Sequence, residues 1–162
     1  MAADLRQRGV RRHAVGARTA QKKSGEIVIE ADELWSFIGT KKQVWWMWVA
    51  LDARTRQVVA MAVGDRNEFT ARCLWEALPG RYRDRAVVAT DLLPVYRAVV
   101  PEDQHAPAGK EAGLTAHVER SFCTLRQRCA RFVRKTLSFS RRMENHVGAL
   151  WYFVRLYYAC RL

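Results

Sequence analysis

The sequence predicts an α/β domain: a mixed sheet of three antiparallel strands followed by parallel ones, with helices on both faces. Three observations carry this expectation. Three apolar or β-branched runs follow one another between residues 27 and 63 with only short connections. Beyond them, short apolar runs alternate with helical segments punctuated by proline. From Thr115 onward, one apolar stripe recurs at helical spacing.

Residues 1–25 lack periodicity and end in Lys-Lys-Ser-Gly, which reads as a basic arm or linker. Ile27–Phe37 alternates and is β-branched, as a strand should be. Val44–Leu51 (VWWMWVAL) is nearly all apolar, and Gln57–Val63 follows after a turn at Asp52–Arg56, completing an antiparallel meander. A helix fits Glu68–Leu78, closed by Pro79-Gly80. Ala86–Thr90 (AVVAT) suits a strand buried on both faces. Pro94 belongs in the first turn of a helix running to Val100, which Pro101 ends, and Gln104–Pro107 is a weak strand. Val118, Phe122, Leu125, Cys129 and Phe132 repeat at i, i+4, i+7, i+11 and i+14 on a long helix, and a last helix spans Met143–Cys160. This order of elements is the one found in ribonuclease-H-like domains.

The composition narrows the function. The chain has 162 residues, 49% of them apolar, enough for one domain with a real core. Its net charge is +12 and its pI about 10.2, which points to a polyanionic partner and away from an acidic-surface carrier. The charge is unevenly spread: residues 1–25 carry +6 and residues 110–142 carry +7, while residues 26–109 sum to −2. A solvated face is the ordinary alternative for each basic segment, but their density favours nucleic acid. The four cysteines form no CxxC pair, so neither a zinc knuckle nor a disulfide framework is legible. No apolar signal core opens the chain, making the cytoplasm the expected compartment. The most apolar stretch, Val147–Leu162, is 16 residues long and carries Arg155 and Arg161, whereas a spanning helix needs about 20 apolar residues.

Three carboxylates sit where a structural role is hard to find. Asp32 lies inside the first strand run, and Asp91 directly follows the AVVAT strand, at the carboxyl end where open α/β sheets place their ligands. Glu119 flanks the apolar stripe of the long helix, at the boundary of core and solvent. Together they would repel one another unless a cation sat among them, and hard oxygen ligands suit Mg²⁺ or Mn²⁺. Two such ions can clamp both oxygens of a phosphoryl displacement. Alone, each residue has an ordinary alternative: Asp91 as a helix N-cap, Asp32 as a salt-bridge partner, Glu119 as an i,i+4 partner. Glu30 and Glu33 compete with Asp32, and period two puts Glu30 and Asp32 on one face with Glu33 on the other. Asp52 and Asp65 read as turn residues. His117 is the histidine closest to a candidate carboxylate, His105 reads as a structural imidazole, and His13 and His146 offer no site.

The phosphate-binding candidates are Lys110, Arg120, Arg126, Arg131, Arg134 and Lys135. Arg126 is seven residues past Glu119 and shares its helical face. Arg120, Gln127, Arg131 and Arg134 are placed on another face of that helix, which binds DNA backbone or is simply solvated. The aromatic tail (Trp151, Tyr152, Phe153, Tyr157, Tyr158) either closes the core or forms an interface.

DELWSFIG, KKQVWWMWVALD, VVAMAVGDR, TDLLPVY, HVERSFCTLRQRCARFVRKTLSFS and ENHVGALWYF resemble the transposases of the insertion-element-one family, in their catalytic, InsB-type half. The resemblance runs from about Glu26 to Tyr158. It implies a ribonuclease-H-like fold, an Asp-Asp-Glu triad at Asp32, Asp91 and Glu119, two Mg²⁺ or Mn²⁺ ions, and cleavage and joining of DNA strands at element ends. It places Arg126 at a basic position seven after the glutamate, and His117 at a histidine seen two before it in some members. Where relatives often show Phe-Asn-Asn or His-Asn after the Glu-Arg pair, this chain has Ser121-Phe122-Cys123, and TDLL replaces an aromatic-bearing TDxW. Full-length members carry an upstream zinc-finger and helix-turn-helix region, so this chain is expected to be the catalytic half, from a downstream reading frame or a truncated copy. The implied partners are double-stranded DNA, both element ends and target, and a homodimer or larger synaptic complex. The implied division is a basic arm (1–25), a catalytic domain (26–142) and a C-terminal aromatic helix (143–162). The alternatives are a non-catalytic DNA-binding remnant or regulator, and a nuclease acting on RNA or hybrids.

Overall fold

The computed structural model describes residues 12–14 and 27–159. Six strands form one mixed sheet in the order β1-β4-β3-β2-β5-β6. These are β1 (Arg12–Ala14), β2 (Ile27–Ile38), β3 (Thr40–Asp52), β4 (Val58–Gly64), β5 (Ala86–Thr90) and β6 (His105–Pro107). The β1–β4, β4–β3 and β3–β2 pairs are antiparallel, while β2–β5 and β5–β6 are parallel. The meander and the parallel pair expected from the sequence are therefore present. Within the segment read as a basic arm, Arg12–Ala14 adds an edge strand to β4, which sequence pattern did not signal.

The β2–β3 hairpin is longer than the apolar pattern suggested, because it turns at Gly39 with Ile38 opposite Thr40, and the polar 41–43 stretch of β3 is taken up in a register shift before Phe37 pairs with Val44. Gly39 has φ +74°, a left-handed conformation that favours glycine. The β3–β4 turn is held by Asp52, whose Oδ1 accepts from the Arg54 and Thr55 amides at 2.9 and 3.0 Å. That is the local competition for backbone donors that makes aspartate a turn residue.

Helices cover both faces. On one face α1 (Glu68–Ala77), α2 (Gly80–Arg83) and α3 (Pro94–Arg97) bury Ala71, Leu74, Tyr82 and Tyr96 against Ile29, Ala31, Trp48 and Ala50. On the other, α4 (Ala116–Arg128) and α5 (Met143–Ala159) bury Val118, Phe122, Leu125, Val147 and Leu150 against Leu34, Met47, Val49 and Met61. Alternation along β2 and β3 thus sends successive side chains into two separate cores, and the near-unbroken apolar run of β3 is the signature of that double burial.

Three boundaries differ from the sequence expectation. Pro79-Gly80 ends α1 but also opens α2. Helical geometry from Pro94 stops at Arg97, although Val99 and Val100 still pack on the first core. The third has consequences for the basic residues. The apolar stripe from Val118 predicts one helix through Phe132, yet Cys129 turns extended (φ −126°, ψ 101°) and only a 3₁₀ turn, Ala130–Phe132, follows. Phe132 remains buried, its ring 4.7 Å from that of His146 on α5. A tertiary contact sets the local backbone here in place of helix propensity.

Candidate active site

The carboxylates are brought together by strand register. In the parallel β2–β5 pair, Glu30 lies opposite Ala89. Two positions further along each chain stand Asp32 and Asp91, where β5 has ended and β2 continues. Asp32, Glu33 and Asp91 each offer a carboxylate oxygen within 4.8 Å of the others. Asp32 Oδ1 accepts from the Glu33 amide at 2.8 Å, and Asp91 Oδ1 accepts from the Leu93 amide at 3.0 Å, a turn that leads into α3. Among the described residues no lysine or arginine pairs with either aspartate. Burial, then the like charges of Glu33, Asp91 and Glu119, push the Asp32 carboxyl up to about 7. A group of hard oxygen donors in which neither aspartate is paired with a cation among the described residues is suited to a divalent cation.

Glu119 stands on α4, outside the close group of three. Its charge acts on Asp32, but it is exposed and accepts from the Thr115 hydroxyl at 3.1 Å. Glu33 occupies the third place in that group and is differently compensated. Arg66 pairs with it at 2.6 Å and lies 4.7 Å over the Trp46 ring, and the Tyr96 hydroxyl donates to it at 3.0 Å. Burial nevertheless holds the Glu33 carboxyl above its ordinary range, with Arg66 opposing. Period two on β2 is therefore realised: Glu33 faces α3, while Glu30 and Asp32 face α4.

Glu30 is almost fully buried, at 2% exposed. Its Oε2 accepts from the amides of His117 and Val118 at 2.8 and 2.9 Å, and Oε1 meets His117 Nδ1. His117 thus stands beside the site, with Glu30 as its partner. Burial raises the Glu30 carboxyl, against the lowering effects of the Val118 amide and the Arg56 charge.

The basic residues are spread over α4, a 3₁₀ turn and the segment beyond it. Arg120 and Arg126 lie on α4, but Arg131 lies in the 3₁₀ turn and Arg134 and Lys135 lie beyond it, so the single helical face expected for Arg120, Gln127, Arg131 and Arg134 does not exist. The break at Cys129 is the reason. Arg120, Arg131, Arg134 and Lys135 are exposed. Arg126 is half-buried; its Nε is enclosed without a hydrogen-bond partner, and burial together with the nearby Arg134 charge lowers its pKa. The side chain of Lys110 lies outside the described residues.

Sequence reasoning assigned no role to Arg66, Tyr96 or His146. Tyr96 carried a signal, standing in TDLLPVY on the helix that follows Asp91. His146 carried none. It is fully buried between Ser36 Oγ (2.9 Å from Nε2) and Ser140 Oγ (3.2 Å from Nδ1), tying the 129–142 segment to β2. Ser36→Ala should leave one imidazole nitrogen unsatisfied and cost about 1–3 kcal/mol in denaturant unfolding. His105, bonded to the Thr90 hydroxyl at 2.8 Å, is the structural imidazole expected. In the C-terminal helix Trp151 and Phe153 pack against the second core, Tyr157 stacks on Phe153 at 5.2 Å, and Tyr152 is exposed. The Tyr158 side chain lies outside the described residues. Among the described residues no helix is long and apolar enough to cross a membrane.

Comparison with known proteins agrees with the resemblance. Residues 26–158 match the model of the IS1 transposase family. The chain is 35% identical to the insertion element iso-IS1n protein InsB of Shigella dysenteriae over 128 residues, covering 79% of this chain and 94% of that protein. It is 30% identical to an IS1 protein InsB of Escherichia coli (strain K12) over 130 residues, covering 80% of this chain and 75% of the relative. A cryo-EM structure of a simian T-cell lymphotropic virus intasome, in complex with PP2A regulatory subunit B56 gamma, aligns with 93% of this chain and 55% of its own. Its identity is 13% and its TM-score 0.39, a likeness too weak to carry an argument. With the family model spanning most of its length and InsB proteins aligned over four fifths of it, the chain belongs to the IS1 transposase family.

Proposed function

We propose that this chain is the catalytic domain of a DNA transposase, with a ribonuclease-H-like fold, that cleaves DNA at insertion-element ends and joins the freed strands to target DNA. Family membership supports a role in transposition. The single observation that carries the catalytic reading is the β2–β5 register, which sets Asp32 beside Asp91, with no lysine or arginine among the described residues paired to either.

Asp32 and Asp91 would hold divalent ions, Mg²⁺ or Mn²⁺, and Glu119 would complete the second ion's site from α4. When bound, two such ions activate an attacking oxygen and stabilise the leaving one in an in-line phosphoryl displacement. Glu33 is already held by Arg66 and Tyr96, so it shapes the negative pocket while its partners restrain it. Arg126, on the same helix as Glu119, holds a phosphate of the cut strand. Arg120, Arg131, Arg134 and Lys135 are exposed and grip the backbone without reading sequence. Element-end and target double-stranded DNA are the substrates, and pairing of two ends calls for a dimer or larger synaptic complex. In this division residues 26–142 are the catalytic domain, 1–25 a basic arm, and 143–162 a C-terminal helix.

The test mixes the protein with labelled element-end DNA, Mn²⁺ and target plasmid, beside Asp32→Ala. Nicked and joined products that need the metal and vanish in the variant are expected; binding without any metal-dependent product overturns the catalytic reading. A second prediction concerns Arg126. Because its Nε is enclosed without a partner, Arg126→Met should leave thermal stability equal or higher. It should also weaken end-DNA binding and reduce the slope of log K against log salt by about one. An unchanged slope would remove Arg126 from the phosphate contacts.

A further inference from the structure

We infer that Glu30 is a positioning residue that sets Glu119 against the Asp32–Asp91 pair by capping α4 from the neighbouring strand. The inference rests on the reading of Glu119 as the third ligand and adds what holds it in place.

The first turn of a helix presents amides that need acceptors from outside the helix. At α4 the local residue for that task is Thr115, yet its hydroxyl makes no bond to the helix amides and donates instead to Glu119 Oε1. The second and third amides of α4, those of His117 and Val118, are taken by Glu30 Oε2. His117 Nδ1 occupies Oε1, so both oxygens of Glu30 are engaged and it is not itself placed as a metal ligand. The carboxylate is buried at the positive end of a 13-residue helix, where charge-assisted bonds are strongest.

A local cap would fix only the first turn. A cap 87 residues away in sequence fixes the helix to the sheet. Glu30 precedes Asp32 by two residues on the same face of β2, and Glu119 follows the capped Val118 amide by one residue on α4. The Glu30 bonds therefore join β2, two residues before Asp32, to α4, one residue before Glu119, and Glu119 is exposed, with Thr115 as its hydrogen-bond partner among the described residues. Ligands are commonly oriented by such supporting bonds, and losing one weakens metal affinity by roughly 10–100-fold.

The experiment is Mn²⁺ calorimetry on the full chain, with hydrogen exchange at residues 117–119 read in parallel. The proteins are the unaltered chain, Glu30→Ala, Glu30→Gln, Glu119→Gln, the Glu30→Ala/Glu119→Gln double variant, and Asp91→Asn. Glu30→Ala should weaken Mn²⁺ binding roughly tenfold or more. Glu30→Gln, which keeps one acceptor oxygen, should recover most of that and still show faster exchange at the amides of 117 and 118. On the Glu119→Gln background, Glu30→Ala should cost nothing further. A folded Glu30→Ala with unaltered affinity, or an undiminished extra loss on the Glu119→Gln background, overturns the inference. If Glu30→Ala does not fold, Glu30→Gln decides: unaltered affinity and exchange overturn it. Weaker binding in Asp91→Asn beside unaltered Glu30 variants defeats this inference alone. Absence of Mn²⁺ binding to the unaltered chain, or indifference to Asp91→Asn, defeats the metal reading with it.

Discussion

Asp91→Asn is expected to lower metal-dependent nicking and joining by on the order of 10³-fold while leaving the protein as stable as before or more so. The opposed directions follow from one geometry. The substituted side-chain amide would still offer an oxygen to the Leu93 backbone N–H, so the turn into α3 survives the substitution. What disappears is a negative charge that acts on both Asp32 and Glu33. In the metal-free protein that charge is repulsive, and its removal should raise the melting temperature, with about 2–4 °C expected for each 1 kcal/mol relieved in a domain of this size. In the proposed enzyme the same charge would be a ligand, and its removal would cost the reaction. Paired measurements of strand-transfer product and melting temperature check this. Retained activity would make Asp91 a turn residue only, and lost activity with a lower melting temperature would mean that the site had collapsed.

How far the sequence disclosed this site depended on the range of the forces involved. Asp32 and Asp91 were legible because their positions follow from local pattern: one inside a strand run, the other at the end of a short apolar strand. The parallel register that joins them pairs the alternating β2 with the continuous apolar run of β5. Glu30 was seen as a competitor of Asp32 on the correct face, but its occupation by the α4 amides was not legible, since it depends on a contact 87 residues distant. The edge strand at Arg12–Ala14 escaped for the opposite reason: three residues carry too little alternation to register, and β4 supplies the ladder. Periodicity misled at Cys129, where the spacing to Phe132 continues a helix but the backbone does not. Phe132 keeps its buried place by packing on His146, so the stripe was real while the helix was not. Arg131 and Arg134 moved with it. Arg131 now donates to Ser140 Oγ at 3.2 Å, and the Arg134 charge adds to burial in lowering the Arg126 pKa.

Metal-free stability should fall as pH rises from about 4 to 7, and Asp32→Asn should remove most of that fall. Asp32 binds its proton more tightly folded than unfolded, since its carboxyl is pushed from 3.8 up to about 7. Between those values the folded state holds more protons, so the unfolding free energy decreases with pH; the cost is absent below the unfolded value and complete above the folded one. At about 1.4 kcal/mol per pKa unit, this is on the order of 4 kcal/mol. Glu30 and Glu33, raised mainly by burial, act in the same direction. His146 acts against them: burial and the Arg131 charge lower it from 6.5 to about 4, so its contribution is lost as pH falls through that window. The difference between the unaltered chain and Asp32→Asn cancels His146 and isolates the aspartate. Mn²⁺ gives an independent reading, because protons and metal compete for the same oxygens. Added Mn²⁺ should raise the melting temperature more at pH 8 than at pH 5.5 in the unaltered chain, and little at either pH in Asp32→Asn. Parallel pH profiles for the two proteins would remove the repulsion at Asp32, and a metal shift that survives the substitution would place the ion elsewhere.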